Sequence, residues 1–153
     1  MVALIGRHNN RIDKKGRVSV PKPFRDAFSR QEFSGIFVFP SFKFAALEAC
    51  GEAFMLRIIK GLDDLELFSE EQDNVASTII ENSHQLAFDT EGRVIVPREL
   101  LEHANINETA LFVGRGNQFQ IWDPPAYKLH NSTALKKAKT KGVTLRLGPE
   151  ETR

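Results

Sequence analysis

The side chains best suited to do chemistry in this chain are cationic, and they crowd into one short stretch. Between residues 7 and 25, Arg7, Arg11, Lys14, Lys15, Arg17, Lys22 and Arg25 are opposed by Asp13 alone, in a protein whose net charge is only +1. Ammonium and guanidinium groups neutralise phosphate. A basic run is often no more than a solvated face. Here it falls on a turn between two strands, where a rigid frame holds it out as a surface for phosphate.

Other chemistries lack their parts. His8, His84, His103 and His130 have no cysteine or histidine at ligand spacing, so no metal site is expected. Gly114-Arg115-Gly116 lacks the third glycine of a phosphate loop and lies between two strand patterns, which makes it a turn. No Ser/His/Asp or Cys/His set stands out, and neither a catalytic residue nor a cofactor is expected. Cys50, the single cysteine, cannot form an intramolecular disulfide; it fits a reducing cytoplasm and reads as a small core residue.

The basic stretch is one half of an internal repeat. Asp13-Lys14-Lys15-Gly16-Arg17-Val18-Ser19-Val20-Pro21-Lys22-Pro23-Phe24-Arg25 returns 76 positions on as Asp89-Thr90-Glu91-Gly92-Arg93-Val94-Ile95-Val96-Pro97-Arg98-Glu99-Leu100-Leu101. Repetition at a fixed offset marks one supersecondary unit used twice. The copies differ in charge. The window 83 to 101 carries Arg93 and Arg98 against Asp89, Glu91 and Glu99, so the basic turn belongs to the first copy alone.

Each copy dictates its own local structure. Asp opens and Gly closes a type I turn, the carboxylate accepting an N–H two residues on and the glycine taking the left-handed conformation of a bulged hairpin. Asp13, Gly16, Asp89 and Gly92 are therefore assigned to turn formation. Arg17-Val18-Ser19-Val20 alternates, with the valines on one face and Arg17 and Ser19 on the other, as in a half-buried strand. Pro21 stops the strand and suits the start of a helix, whose apolar stripe is Phe24, Ala27 and Phe28; Leu100, Leu101 and Ala104 supply it in the second copy. Downstream, Ile36-Phe37-Val38-Phe39 aligns with Leu111-Phe112-Val113-Gly114, and Phe44 to Glu48 with Phe119 to Asp123, predicting a second hairpin in each copy that turns at Pro40-Ser41 and at 114–117. Half-units of this size cannot bury their own apolar faces, so the copies should close on each other.

Between and after the copies the patterns are helical. Residues 45–60 predict a helix stopping before Gly61, and Ser69-Glu70-Glu71-Gln72 reads as a capping box for a helix whose face includes Val75, Ala76, Ile79 and Ile80. Asp123-Pro124-Pro125 starts a third, over residues 126–139, whose lysine-rich end suits the helix dipole. Residues from about Gly148 on carry little apolar content and are expected to fray. The division expected is 7–54 for the first repeat, 55–82 for a helical connector, 83–126 for the second repeat and 127–153 for a C-terminal helix and tail. At 153 residues and 41% hydrophobic content the chain suits one compact domain. Residues 1–7 are too short, and charged too early, for a signal peptide, and no apolar run approaches a membrane span, so a soluble intracellular protein is expected.

Two copies of Asp-x-x-Gly-Arg-Val-x-Val-Pro at this separation, with matching hairpins and the Phe-Gln-Ile-Trp-Asp stretch at 119–123, resemble the MraZ family of bacterial transcriptional regulators, whose repeats belong to the AbrB-like swapped-hairpin group. The likeness covers roughly residues 1 to 140. It implies a mixed, mainly β fold: a pseudo-symmetric swapped-hairpin β-barrel with flanking α-helices, assembled into a ring-like homo-oligomer. It implies sequence-specific binding to double-stranded DNA at repeated sites upstream of the division and cell-wall gene cluster that contains its own gene, in the cytoplasm at the nucleoid. By position in the motif, Arg17 is the first candidate for a base or phosphate contact, with Lys14, Lys15 and Arg11 beside it. Arg93 is the matching arginine of the second copy. Thr90-Glu91 replaces Lys14-Lys15 there, which points Arg93 towards Glu91 or a neighbouring subunit. The alternatives are an antitoxin-like DNA-binding module with a protein partner and, with less support, an enzyme with an unrecognised site.

Overall fold

A computed structural model describes residues 3–150. In the first copy, β1 (Arg7–Arg11) and β2 (Arg17–Ser19) flank the Asp13–Gly16 turn, followed by α1 (Lys22–Asp26), β3 (Gly35–Pro40) and β4 (Leu47–Cys50). Two helices, α2 (Glu52–Asp63) and α3 (Glu70–Val75), the latter continued by a π-helical turn over Ala76–Ile80, lead to the second copy. There β5 (His84–Ala87), β6 (Arg93–Ile95), α4 (Arg98–Ala104), β7 (Thr109–Gly114) and β8 (Phe119–Trp122) repeat the order, and α5 (Pro124–Lys141) closes it.

The copies are interleaved. β1 pairs antiparallel with β7 of the other copy, β5 with β3, and β4 with β8, giving a six-stranded sheet ordered β1-β7-β8-β4-β3-β5. β2 and β6 form a separate two-stranded ribbon. The sheet is not a closed barrel, contrary to expectation: β1 and β5 remain its edges. The reason lies in strand length. β2 and β6 are cut to three residues by Pro21 and Pro97, which have no N–H to extend a ladder, and the backbone pairing between the β1 and β2 arms is reduced to an isolated bridge between Ile12 and Val18.

The main core lies between ribbon and sheet. Val18, Val94, Phe24 and Leu100 from the ribbon and short helices meet Ile36, Val38, Phe112, Phe119 and Ile121 of the sheet. Phe24, with no exposed surface, has its ring centroid 5.1 Å from that of Phe119. On the opposite face, Leu111, Val113 and Trp122 are covered by Tyr127 of α5, and Phe39, Cys50 and Met55 by Phe54 and Ile58 of α2 with Ile79 and Ile80.

Three local expectations are corrected. Arg7 pairs with Val113, whereas Val38 pairs with His84, which makes Val38 the counterpart of Phe112 rather than of Val113. Both point into the main core; the expected alignment is off by one residue and would have put them on opposite faces. Likewise Leu47 to Cys50, rather than a segment beginning at Phe44, are the first copy's counterpart of Phe119 to Trp122, because the first copy's hairpin loop is the longer one. Residues 45–60 are not one helix either. Leu47–Cys50 are drawn into the sheet between β3 and β8, α2 begins only after Gly51, and it continues through Gly61 to Asp63. Ser69 caps α3 as expected, its Oγ accepting the Gln72 N–H at 3.1 Å, and Asp123 caps α5 through the Ala126 N–H. The expectation for the chain end concerns partly residues 151–153, outside the described range; residues 143–150 carry no regular structure.

Candidate nucleic-acid interface

The two turns are near-copies. The Gly16 N–H donates to the Asp13 carbonyl at 3.0 Å, and the Asp13 N–H to the Arg17 carbonyl at 3.0 Å; Gly92, Asp89 and Arg93 do the same at 3.0 and 2.8 Å. Gly16 has φ +84° and Gly92 φ +76°, the left-handed residue of a type I turn with a bulge. Each aspartate also organises its loop. Oδ1 of Asp13 accepts the N–H groups of Lys15 and Arg17, both at 2.9 Å, and Oδ1 of Asp89 those of Glu91 and Arg93, both at 2.9 Å. The backbone N–H of the following arginine is the largest influence holding each carboxyl below its ordinary range.

The same carboxylates grip the motif arginines. Nε of Arg17 lies 2.6 Å from Asp13 Oδ2, and Nε of Arg93 lies 2.8 Å from Asp89 Oδ2. Beyond that the copies part. Among the described residues the terminal nitrogens of Arg17 make no hydrogen bond or ion pair, while Nη2 of Arg93 also meets Glu91 Oε2 at 3.2 Å. Of the two partners expected for Arg93, Glu91 or a neighbouring subunit, Glu91 is the one it meets within the chain.

The ribbon brings both arginines to one surface. Val18 and Val94 face each other and point inward, 1% exposed, so Arg17, Ser19, Arg93 and Ile95 form the outward face. Arg17 stands opposite Ile95 and Ser19 opposite Arg93. Arg11, Lys14, Arg17 and Arg93 line one shallow depression of about 470 Å³, together with Asp13, Ser19 and the single further acid Glu108. Lys15 is exposed on the turn beside it.

Not every cation of the basic stretch is free. Lys22 pairs with Asp26 at 2.9 Å, and the Arg7 guanidinium lies 5.6 Å from the Tyr127 ring centre. Arg25 donates from Nη1 to the Val20 carbonyl and lies over Gly92, where an added Cβ would come within 2.5 Å of it. The surface that remains is Arg11, Lys14, Lys15, Arg17 and Arg93.

The histidines are engaged separately. Nε2 of His84 meets Glu99 at 2.8 Å, Nε2 of His103 the Ser41 carbonyl at 3.0 Å, and His130 stacks on Trp122 with centroids 4.7 Å apart. Burial is the main influence lowering the pKa of His130. The ring of His8 meets that of Phe24 edge-on at 5.2 Å. Burial, with help from Glu48, pushes the Cys50 thiol up to about 12, which leaves it no nucleophile near neutrality. Among the described residues no three His, Cys, Asp or Glu side chains gather as a metal site would require, and no helix is long and apolar enough to cross a membrane.

Two outward residues escaped the list of candidates. Ser19 and Ile95 were legible as outward-facing, because strict alternation with the buried valines puts them beside the arginines. What was missing was their proximity across the ribbon, which depends on β2 pairing with β6. Asn10 was missed as well; its Nδ2 donates to the Ser19 carbonyl at 2.6 Å and braces the ribbon against β1.

Comparison with known proteins agrees with the repeat motif. A family model described as "MraZ protein, putative antitoxin-like" matches residues 79–145, the second copy and α5. A "Transcriptional regulator MraZ" of Rickettsia bellii is 42% identical over 138 residues, covering 90% of this chain and 92% of the relative. Proteins of the same description from Pelagibacter ubique and Rickettsia canadensis are 39% identical over 142 residues and 38% over 146, covering 93% and 95% of this chain and 92% and 98% of their own lengths.

Proposed function

The chain belongs to the MraZ family, and from that premise we propose that it is a sequence-specific DNA-binding regulator of transcription. One observation carries the reading: the β2–β6 ribbon aligns the motif arginines of both copies on one outward face, inside a rim of further cations. A two-stranded ribbon is one of the two elements that the major groove of B-DNA admits. Arginines on its outer face reach guanine O6 and N7, while Lys14, Lys15 and Arg11 sit where the phosphates pass. The aspartates shape the turns and aim the arginines, and they contact no phosphate themselves.

Within this reading, copies 7–54 and 83–126 act as one pseudo-symmetric DNA-reading unit built by exchange of hairpins, an arrangement supported by the cross-copy pairing of β1 with β7 and β5 with β3. The connector 55–82 and α5 lie outside the DNA face. One ribbon is small for tight specific binding, since single DNA-reading modules bury roughly 600–1,000 Å². A ring-like homo-oligomer presenting several ribbons to repeated sites would supply the remainder by avidity. The target is the DNA upstream of the protein's own gene and of the division and cell-wall cluster around it, at the nucleoid.

The test is a binding titration against that upstream DNA at several salt concentrations. Specific binding with a steep salt dependence is expected, each neutralised phosphate contributing about −0.9 to the slope of log K against log salt. A flat salt response, or equal affinity for unrelated DNA, would sink the proposal.

A further inference from the structure

We propose that Ile95 is a base-reading residue of this interface, seating its aliphatic side chain on the 5-methyl group of a thymine next to the base pair read by Arg17, with Ser19 as its permissive counterpart. The inference rests on the DNA-binding reading and adds to it a named base chemistry and an orientation.

Ile95 is an anomaly in its surroundings. Its strand neighbours Val94 and Val96 are 1% and 3% exposed, yet Ile95 is 61% exposed and joins no hydrophobic cluster of the described residues. It is the one large apolar side chain on a face otherwise made of Arg17, Arg93 and Ser19. An isolated exposed apolar residue is unremarkable on most surfaces. At the centre of a cationic ribbon it faces whatever the arginines face, and the charge around it selects a polyanion.

Register places it beside Arg17. The Val20 N–H donates to the Gly92 carbonyl at 3.1 Å and the Val96 N–H to the Gly16 carbonyl at 2.9 Å. Ladder bonds alternate along an antiparallel pair, so Val18–Val94 is a hydrogen-bonded pair, and Arg17–Ile95 and Ser19–Arg93 are the close, non-hydrogen-bonded ones, with Cα atoms about 4.5 Å apart. That spacing approaches one base-pair step, about 3.4 Å per pair along a strand. An arginine on a guanine edge therefore carries Ile95 over the adjoining pair, where thymine alone offers a methyl group in the major groove.

The two ends of the ribbon differ in this respect. Ser19 and Ile95 occupy equivalent places in the copies and flank the same central pair of valines. A serine hydroxyl both donates and accepts and tolerates either kind of base edge, whereas an aliphatic side chain gains only from a methyl group. A pseudo-symmetric ribbon thereby reads an asymmetric half-site in one direction.

The experiment replaces each thymine in turn by deoxyuridine in a fragment of the upstream DNA. This removes the methyl group and leaves every hydrogen-bonding edge in place. Wild type should lose about fourfold in affinity at one thymine per bound repeat, the factor expected for one buried carbon group. Ile95→Ser should be insensitive at that same thymine while remaining folded, and Ile95→Thr, which keeps the β-branched shape and one methyl group, should be less sensitive than wild type. Specific binding with no thymine sensitive, or sensitivity that persists in both variants, overturns the proposal for Ile95 and leaves the regulator reading standing. Absence of specific binding by wild type overturns both.

Discussion

Asp13 holds Arg17: Oδ2 of the aspartate that opens the turn lies 2.6 Å from Nε of the arginine that leaves it. The carboxylate offsets the guanidinium's charge and in return fixes its geometry. An arginine fixed in one rotamer by a carboxylate loses less entropy on meeting a base edge than a free one, at the cost of a weaker long-range field. Asp89 and Arg93 repeat the arrangement, and Glu91 adds a second acid to it.

That difference predicts unequal roles. Arg17→Ala should weaken specific DNA binding by about 1–3 kcal/mol, roughly five- to 150-fold, and relax the sequence preference at its position. Arg93→Ala should cost less, because Glu91 already occupies part of its fork. Fluorescence anisotropy on matched fragments measures both; equal losses in well-folded protein would overturn the assignment.

Asp13→Asn separates positioning from charge. The amide oxygen still accepts turn N–H groups, but the ion pair to Arg17 is gone and the surface gains a positive charge. Affinity for unrelated DNA should rise and the ratio of specific to unrelated binding should fall. An unchanged ratio would mean that the carboxylate does not aim the arginine.

Acid should act on both turns together. The folded carboxyls of Asp13 and Asp89 titrate below their unfolded range, so their contribution is complete above the ordinary aspartate pKa and is lost as pH falls through the lowered values. Wild type should therefore lose more thermal stability between neutral and strongly acid pH than Asp13→Ala with Asp89→Ala, a comparison calorimetry makes directly.

Two glycines should respond oppositely to alanine. Gly16 has φ +84°, and a Cβ there would lie 2.6 Å from the Val96 carbonyl oxygen, so Gly16→Ala should destabilise the protein and disturb the ribbon. Gly61 lies inside α2 with nothing within 4 Å of an added Cβ, and Gly61→Ala should stabilise by about 0.5–1 kcal/mol. Thermal melts of the two variants give the sign at once.

Spacing tests the proposed assembly. Ring neighbours are related by rotation, so they should read direct repeats about 10 bp apart, one helical turn. Inserting about 5 bp between repeats turns the second site to the far side of the duplex and should damage binding far more than inserting about 10 bp. Equal tolerance of the two insertions, or equal affinity for one repeat and several, would count against multivalent binding.

The sequence by itself determined the units. Asp at the first position and Gly at the fourth, valines in alternation and a proline as stop are short-range constraints, and each reappears in the structure as bulged turn, inward Val18 and Val94, and the starts of α1 and α4. The charge contrast between the copies was equally legible, and with it Arg93's recourse to Glu91. Composition failed where local preference and tertiary pairing compete. Leu47-Glu48-Ala49-Cys50 is made of residues at home in a helix, yet it fills the slot between β3 and β8 because the sheet's hydrogen bonds and the buried core outweigh propensity. The β3–β7 correspondence failed because both strands are buried on both sides, and a continuous apolar run has no parity from which to read a register. Lys22 is tied to Asp26 by an i,i+4 contact within α1, but only the tertiary structure decided that Arg25 is drawn over Gly92 of the other copy. It alone set Ile95 beside Arg17, since the pairing of two strands some 76 residues apart is fixed by the shared core that holds both valines, and no local pattern records it.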